Sequence, residues 1–489
     1  MTLQKPLRIC LASSELAPLA KTGGLADVSA ALSAYLNDAG HDIRVLIPFY
    51  SSINTSGLNV TPVPGLQGLQ IRLGPHILSY SIDTATLPDS GLSIYLLRCP
   101  QAYDRPVIYG SGPDEHLRFI LLSRVAIEMC QHMNFAPDIF HCHDWHTALI
   151  PLYLKTLYAW DRLFENTYSV MTIHNIGYQG VFSADIVNDL NLPDGKDNLN
   201  KDDLTHGRVN FLKMGLLNAD LLTTVSPTYA REILSPEYGM GLQNILRQRR
   251  DRLVGILNGV DFNEWNPETD PLISFPYTAR RISGKNKNKL ELMKELGLDS
   301  GDDVPLLGIV SRLTYQKGVE LVQDVIPAMM QHRPFALAVL GSGESKYERF
   351  FEHLQHRHRS RVCFYRGFNN KLAHMIEAGS DIFLMPSRFE PCGLNQMYSL
   401  RYGTIPIVRK TGGLADSVQM IDPKRGVGNG VLFNDFNGPA LGWALNFALD
   451  IYQDKKLWRK IRRNGMAMDY SWERQGEIYV ELFRRLISP

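Results

Sequence analysis

Residues 7–48 read LRICLASSELAPLAKTGGLADVSAALSAYLNDAGHDIRVLIP, and the order of signals within them sets the fold class. An apolar run at 7–12 is followed by a glycine-bearing loop at 21–24, then by Leu25, Val28, Leu32, Tyr35 and Leu36 at the spacing of one helix face. Asn37, Asp38, Ala39 and Gly40 end that helix, and a second apolar run at 43–47 is closed by Pro48. Strand, loop, helix, strand is a βαβ unit, and a βαβ unit implies a parallel sheet.

The same alternation returns in the second half of the chain. Strand-like runs at 306–311, 335–340, 362–365, 382–385 and 405–408 are separated by helical spacing from Gly318, from Glu344, at 372–378 and at 394–402. The economical reading is a second doubly wound α/β domain. Between the halves, the run 253–257 leads into Asn258-Gly259-Val260-Asp261 and a breaker-rich stretch at 266–276, which puts the boundary near residue 252. A repeat supports two halves: KTGGLAD at 21–27 recurs letter for letter at 410–416. Each copy lies between a strand-like and a helix-like run, where exposed amides at a helix start form an anion site; a plain helix-start turn fits the same letters.

The composition narrows the function. Over 489 residues, 51 Lys and Arg oppose 50 Asp and Glu, a net charge of +1 that excludes a basic nucleic-acid coat. With 44% hydrophobic residues the chain supports large cores, and its length suggests two or three domains. No apolar stretch approaches the roughly 18 residues needed to span a bilayer, and residues 1–11 lack a signal-peptide core, so no membrane partner and a cytoplasmic location are expected. Cys10, Cys99, Cys130, Cys142, Cys363 and Cys392 lie far apart without C-x-x-C spacing, as free thiols of a reducing compartment do.

Four clusters carry candidate chemistry. SRLTYQKG at 311–318 leaves a buried strand at its carboxyl end, where open α/β sheets bind ligands, so Arg312 and Lys317 can face one diphosphate; solvated surface cations are the alternative. PSRFEPCGL at 386–394 leaves another strand into a helix, which offers Glu390 to sugar hydroxyls or to an oxocarbenium ion, and the amides after Cys392 to sugar oxygens. Glu390 as a helix-start charge fits equally. HCHDWH at 141–146 has the residue types of a metal site, but in an extended segment His141 and His143 face one way and Cys142 the other, and no second set of Cys or His follows at zinc-finger spacing; Asp144 and Trp145 suit a sugar better. His174, in TIHNIGYQG at 172–180, ends an apolar run as either a cleft residue or a buried structural histidine.

KTGGLADV, HCHDWH, TIHNIGYQG, ADLLTTVSPTYAREI, GILNGVD, SRLTYQKG and PSRFEPCGLNQMY occur in this order, and together they closely resemble the bacterial glycogen synthases and plant starch synthases. The resemblance runs from about Leu7 to Trp472. It implies the GT-B fold, two Rossmann-like doubly wound domains facing across a deep cleft: an acceptor-side domain at 1–252, a nucleotide-sugar domain at 253–468, and a carboxyl-terminal helix at 469–489 returning to the first. It also implies retaining transfer of glucose from ADP-glucose to an α-1,4-glucan. By position, Lys21, Gly23, Gly24 and Asp27 then approach the donor and acceptor, Asp144 and His174 flank the glucose, and Arg312 and Lys317 bind the diphosphate. Glu390, Cys392, Gly393 and Leu394 meet the glucose, Asn258 and Thr411 line the site, and Phe368 stands where relatives stack a tyrosine on adenine. Tyr398 replaces the second glutamate of the E-x7-E pattern of sucrose-type relatives, and Asn395 stands where some bacterial members have threonine.

D-x-D, a metal–diphosphate signature of another glycosyltransferase fold, occurs nowhere in the sequence. The expectation is therefore no metal and no cofactor, with Arg312 and Lys317 supplying the positive charge. Competing readings are a transferase using UDP-glucose or a small acceptor, and a non-catalytic glucan-binding protein. The sequence assigns no oligomeric state.

Overall fold

A computed structural model describes residues 5–88, 90–299, 301 and 303–488, so the outer limits of the expected domains and the first four residues of the 1–11 stretch lie outside the described residues. The chain forms two compact units: Met1–Val225 with Ala230–Gly259 and Trp472–Pro489, and Ser226–Tyr229 with Val260–Ser471.

The first unit holds strands β1 (Arg8–Ala12), β2 (Asp42–Pro48), β3 (Thr61–Pro62), β4 (Leu69–Leu73), β5 (His76–Thr86), β6 (Ser93–Arg98), β7 (Ile139–His143), β8 (Tyr168–Ile173), β9 (Val181–Ser183), β10 (Arg208–Asn210), β11 (Leu221–Thr224) and β12 (Leu253–Gly255). Its main sheet runs β12-β11-β8-β7-β1-β2-β6-β5-β3, with β4 on β5 and a separate β9–β10 pair. The opening βαβ unit forms as its residues dictate. β1 pairs parallel to β2 from Arg8 opposite Asp42, and the helix Gly24–Asp38 buries Leu25, Val28, Leu32 and Leu36. Gly40, at φ +82°, takes the left-handed turn that returns the chain to β2. β3, β4 and β5 add an antiparallel margin that the alternation did not announce.

The first unit continues past the expected boundary at residue 252, through Gly259, because Leu253–Gly255 is a strand of its sheet, parallel to β11. At the other end, Tyr470 and Ser471 stay with the second unit. Val260 N donates to Tyr470 O at 2.7 Å, and the Tyr470 hydroxyl donates to Ser417 O at 2.6 Å. The helix Trp472–Ile487 then packs on Gly24–Asp38 inside the first unit. Its Gly476 lies so close to Tyr35 that a Cβ would sit 2.2 Å from the ring, and its Tyr479 and Phe483 rings lie 5.7 and 5.4 Å from His141.

The second unit contains β13 (Leu306–Val310), β14 (Ala336–Gly341), β15 (Val362–Arg366), β16 (Ile382–Met385), β17 (Ile405–Arg409) and β18 (Val431–Phe433), all parallel, in the order β15-β14-β13-β16-β17-β18. That is a doubly wound sheet. The central strands read as continuous apolar runs because helices cover both faces, and Leu307, Leu337, Ile382 and Ile407 form one core with Val322 and Leu445. Among the parallel strands of each unit the winding direction reverses once, between β13 and β16 in the second and between β1 and β7 in the first. Loops leaving neighbouring strands in opposite directions open a crevice at those points.

Replacing Gly476 with Ala forces the carboxyl-terminal helix off Tyr35. The expected cost is about 1–3 kcal/mol, read as a lower melting temperature and faster amide exchange across 472–488; unchanged exchange there contradicts this packing.

Candidate active site

Two loops meet at the reversal point of the second unit. The chain leaves β13 into the short helix Tyr315–Lys317, and Gly318, at φ +68°, ends it. A Cβ on Gly318 would sit 2.0 Å from Pro386 O, so glycine alone lets this turn reach the loop after β16. There the loops are laced together: Arg388 N donates to Gln316 O at 2.8 Å and Gln316 Nε2 to Phe389 O at 3.2 Å. Lys317 Nζ consequently lies 2.6 Å from Glu390 Oε2, which also accepts from Ser387 Oγ at 3.0 Å. Glu390 is buried and Lys317 partly so. The helix after this loop starts only at Asn395, so the Glu390 carboxylate serves the lysine and not the helix amides. Arg312 is exposed and makes no ion pair among the described residues.

Asn395 and Tyr398 hold the next helix in place. Asn395 Nδ2 donates to Val310 O, the end of β13, at 2.7 Å, tying the two central loops together at their base. Tyr398 stacks on Trp265 at 3.9 Å, and Trp265 on His374 at 3.8 Å. Leu394 caps that helix, its carbonyl accepting from Met397 N and Tyr398 N. Gly393 is left-handed at φ +71°. Phe368, on the turn after β15, is 82% exposed, an uncovered ring face.

The identical heptads do different work. In the second copy, the expected anion site is closed. Gly413 N donates to Pro391 O and Glu390 O, and Cβ atoms on Gly412 and Gly413 would lie 1.9 Å from Glu390 O and 2.1 Å from Cys392 O. These glycines, beside buried Thr411 and Cys392, admit the backbone that presents Glu390. In the first copy an anion is already in place. The Glu15 carboxylate accepts from Thr22 N at 2.6 Å, Gly23 N at 3.1 Å and Thr22 Oγ1 at 2.7 Å. Lys21 Nζ contacts Asp27 Oδ1 at 2.6 Å, and burial raises the Asp27 carboxyl despite that lysine. A Cβ on Gly23 or Gly24 would meet nothing within 4 Å, so nothing inside the unit requires glycine there.

Beyond β7, Asp144 adopts φ +53°, unusual for a residue with a side chain, and its buried carboxylate turns inward. Oδ1 accepts from His174 N at 2.7 Å and Asn175 N at 3.5 Å, and burial, opposed by those amides, pushes the carboxyl up to about 7. Asp144 thus fixes the loop that carries His174. His174 Nε2 lies 2.9 Å from His143 Nδ1; His141 Nε2 lies 2.7 Å from Thr172 Oγ1. Burial holds His174 and His141 down to about 3 and His143 well below its usual value, so the ladder is neutral. His143 Nε2 is buried without a partner, and a bare acceptor costs less there than an orphaned N–H. The tautomer that suits this carries the proton on His143 Nδ1, donating to His174 Nε2, which puts the proton of His174 on Nδ1.

Trp145 departs from expectation. The residue is only 9% exposed, its indole 4.8 Å from Phe119 and against Gly180, where a Cβ would fall 2.3 Å from the ring. No face remains for a pyranose. Asn258 is buried, and its Oδ1 has no hydrogen-bond partner among the described residues. Glu15, Ser387 and His143 were not singled out from the sequence as parts of the site. For Glu15 a signal existed, a lone carboxylate directly before the apolar run LAPLA at 16–20.

Gly412→Ala should destabilise the chain by about 1–3 kcal/mol, whereas Gly24→Ala, in open space at a helix start, should be neutral or slightly stabilising in chemical denaturation; equal effects contradict the division of labour. The unfolded chain takes up protons near pH 6.5 that the neutral ladder refuses, so the ladder's own contribution to stability is full above that pH and falls as pH drops towards 3, opposed between about 4 and 7 by the raised Asp144 carboxyl. His143→Asn should flatten the slope of unfolding free energy against pH by up to about 1.4 kcal/mol per unit; an unchanged slope contradicts the neutral ladder.

With this geometry in hand, comparison with known proteins is specific. The family described as starch synthase catalytic domain matches residues 8–248, and that described as glycosyl transferases group 1 matches 291–467. The chain is 43% identical to a glycogen synthase of Koribacter versatilis over 98% of both chains, and 41% identical to one of Geotalea daltonii over 99% of both. The catalytic domain of starch synthase IV from Arabidopsis thaliana, solved bound to ADP and acarbose, superposes with a TM-score of 0.91 at 34% identity, covering 99% of this chain and all of that one. Similarity of this depth over essentially the full length makes the chain a member of the glycogen synthase and starch synthase family of GT-B glycosyltransferases.

Proposed function

We propose that this enzyme transfers glucose from ADP-glucose to the non-reducing 4-hydroxyl of an α-1,4-glucan with retention at the anomeric carbon, releasing ADP, in the cytoplasm and without a metal ion. The observation that carries the reading is the Lys317–Glu390 pair at the reversal point of the second unit, 2.6 Å between charges, with the exposed Arg312 beside the same strand end. A cation already balanced by a carboxylate can be shared with an incoming diphosphate, while Arg312 adds the unbalanced positive charge. The ADP in the related starch synthase supports adenine as the base, and the bare ring of Phe368 suits stacking on it. The six free cysteines suit a reducing cytoplasm, and among the described residues no helix is long and apolar enough to cross a membrane.

In this reading the bond from glucose C1 to the diphosphate oxygen breaks with its electron pair going to phosphate, where Lys317 and Arg312 stabilise the new charge. The acceptor oxygen bonds to C1 on the same face, and its proton passes to the departing phosphate oxygen. Glu390 offsets positive charge on the sugar as C1 flattens, with Cys392, Gly393 and Leu394 shaping the donor pocket. His174 donates from Nδ1 to a glucose hydroxyl, Asp144 positions His174, and Lys21, Gly23, Gly24, Asp27 and Asn258 serve the acceptor side. Thr411 supports the Glu390 turn.

The test is nucleotide release from ADP-glucose and UDP-glucose with glycogen, with and without chelator. Glycogen-dependent ADP release untouched by chelator is expected; preference for UDP-glucose, or loss of activity that magnesium restores, overturns the donor or the metal part of the reading. Lys317→Ala should lower kcat by about 10²–10³-fold with glycogen affinity little changed; equal modest losses in both count against its role.

A further inference from the structure

The KTGG turn at 21–24 has the form of a phosphate cradle, yet its amides are occupied from within. Glu15 is 3% exposed, three residues past the end of β1, and both of its oxygens are fully used. Oε2 accepts from Thr22 N and Gly23 N; Oε1 accepts from Thr22 Oγ1 and from the Tyr109 hydroxyl. Tyr109 is held in turn by Ser14 Oγ at 2.8 Å, and Ser14 O accepts from the Tyr50 hydroxyl at 2.9 Å. One buried carboxylate therefore anchors two separate segments, the KTGG turn and the stretch around Tyr109, which the Arg105–Asp114 ion pair and the Gly110 N to Glu115 Oε1 hydrogen bond also brace.

We propose that Glu15 is a positioning residue for glucosyl transfer, the built-in anion that presets the KTGG turn. The inference rests on the transfer activity proposed above. A second anion cannot take the 22–23 amides while a buried carboxylate holds them, because two like charges at that distance repel strongly. The turn's contribution is therefore shape: it holds Gly23 and Gly24 open to a ligand with Lys21 set beside them, and it does so before any ligand arrives. Preset geometry of this kind lowers the ordering cost of the reactive complex.

Glu15→Ala removes the anion and leaves a space that formate fits. The expected result is a fall in kcat of about 10–100-fold, ADP affinity within about threefold of wild type, and faster hydrogen exchange of the amides in 20–24. Sodium formate, but not sodium chloride at equal ionic strength, should restore part of the rate and slow the exchange again. Glu15→Gln keeps an acceptor for the two amides while the Thr22 and Tyr109 hydroxyls turn to accept from its nitrogen, so it should stay within about fivefold of wild type. Unchanged rate and exchange in Glu15→Ala, or a lost rate that formate does not restore while exchange is slowed, overturns the proposal. If Glu15→Ala does not fold, Glu15→Gln decides: a loss of about a hundredfold with protected amides would assign the charge a role other than positioning. The exchange arm needs no sugar, so a wild-type protein that releases no ADP overturns the proposed function separately from Glu15's hold on the turn.

Discussion

An ammonium and a carboxylate 2.6 Å apart, Lys317 and Glu390, stand where a parallel sheet reverses its winding, and much of the second unit serves to bring them there. Ion pairs that are largely withdrawn from water are poor contributors to stability, because desolvation offsets most of their attraction. Their value is in geometry. Gly318 lets one loop approach Pro386, Gln316 fastens it to the other, Asn395 ties the base of both, and Gly412 and Gly413 let the 410–416 turn press against the backbone of residues 390–392.

The repeated heptad illustrates how identical letters acquire different roles from their surroundings. In the second copy the glycines are demanded by neighbouring carbonyls, and the turn is a structural buttress. In the first copy they face open space, while the amide groups that would attract a phosphate are satisfied by Glu15. The helix-start chemistry is the same; what differs is which partner the fold has already supplied.

The fold was legible because it rests on local signals. Apolar runs of strand length, helical spacing in 25–36 and turn residues at 37–40 suffice for the βαβ unit, and the alternation at 306–408 suffices for the second sheet. The boundary differs from residue 252 because the run at 253–257 shows a strand without showing its partner, and only the pairing of β12 with β11 assigns it to the first unit. In the candidate site, motif spacing placed Lys317 and Glu390 at strand ends, but it did not foretell their contact, which depends on two loops seventy-three residues apart. Trp145 went astray for the opposite reason: an aromatic beside a carboxylate suits a sugar on paper, and only Phe119 and Gly180 reveal that its face is taken. For Glu15 the sequence offers only its place before an apolar run, whereas its role is defined by its donors, which come from residues 22, 23 and 109.

Calorimetric titration of ADP into the wild-type protein, Lys317→Ala and Glu390→Gln reads how the lysine's charge is divided. If Lys317 divides its charge between Glu390 and the diphosphate, neutralising Glu390 frees that charge, so Glu390→Gln should bind ADP several-fold tighter and Lys317→Ala at least about tenfold weaker. Weaker binding in both variants would mean that the carboxylate does not compete for the lysine, and the account of the pair as a shared cation would be contradicted.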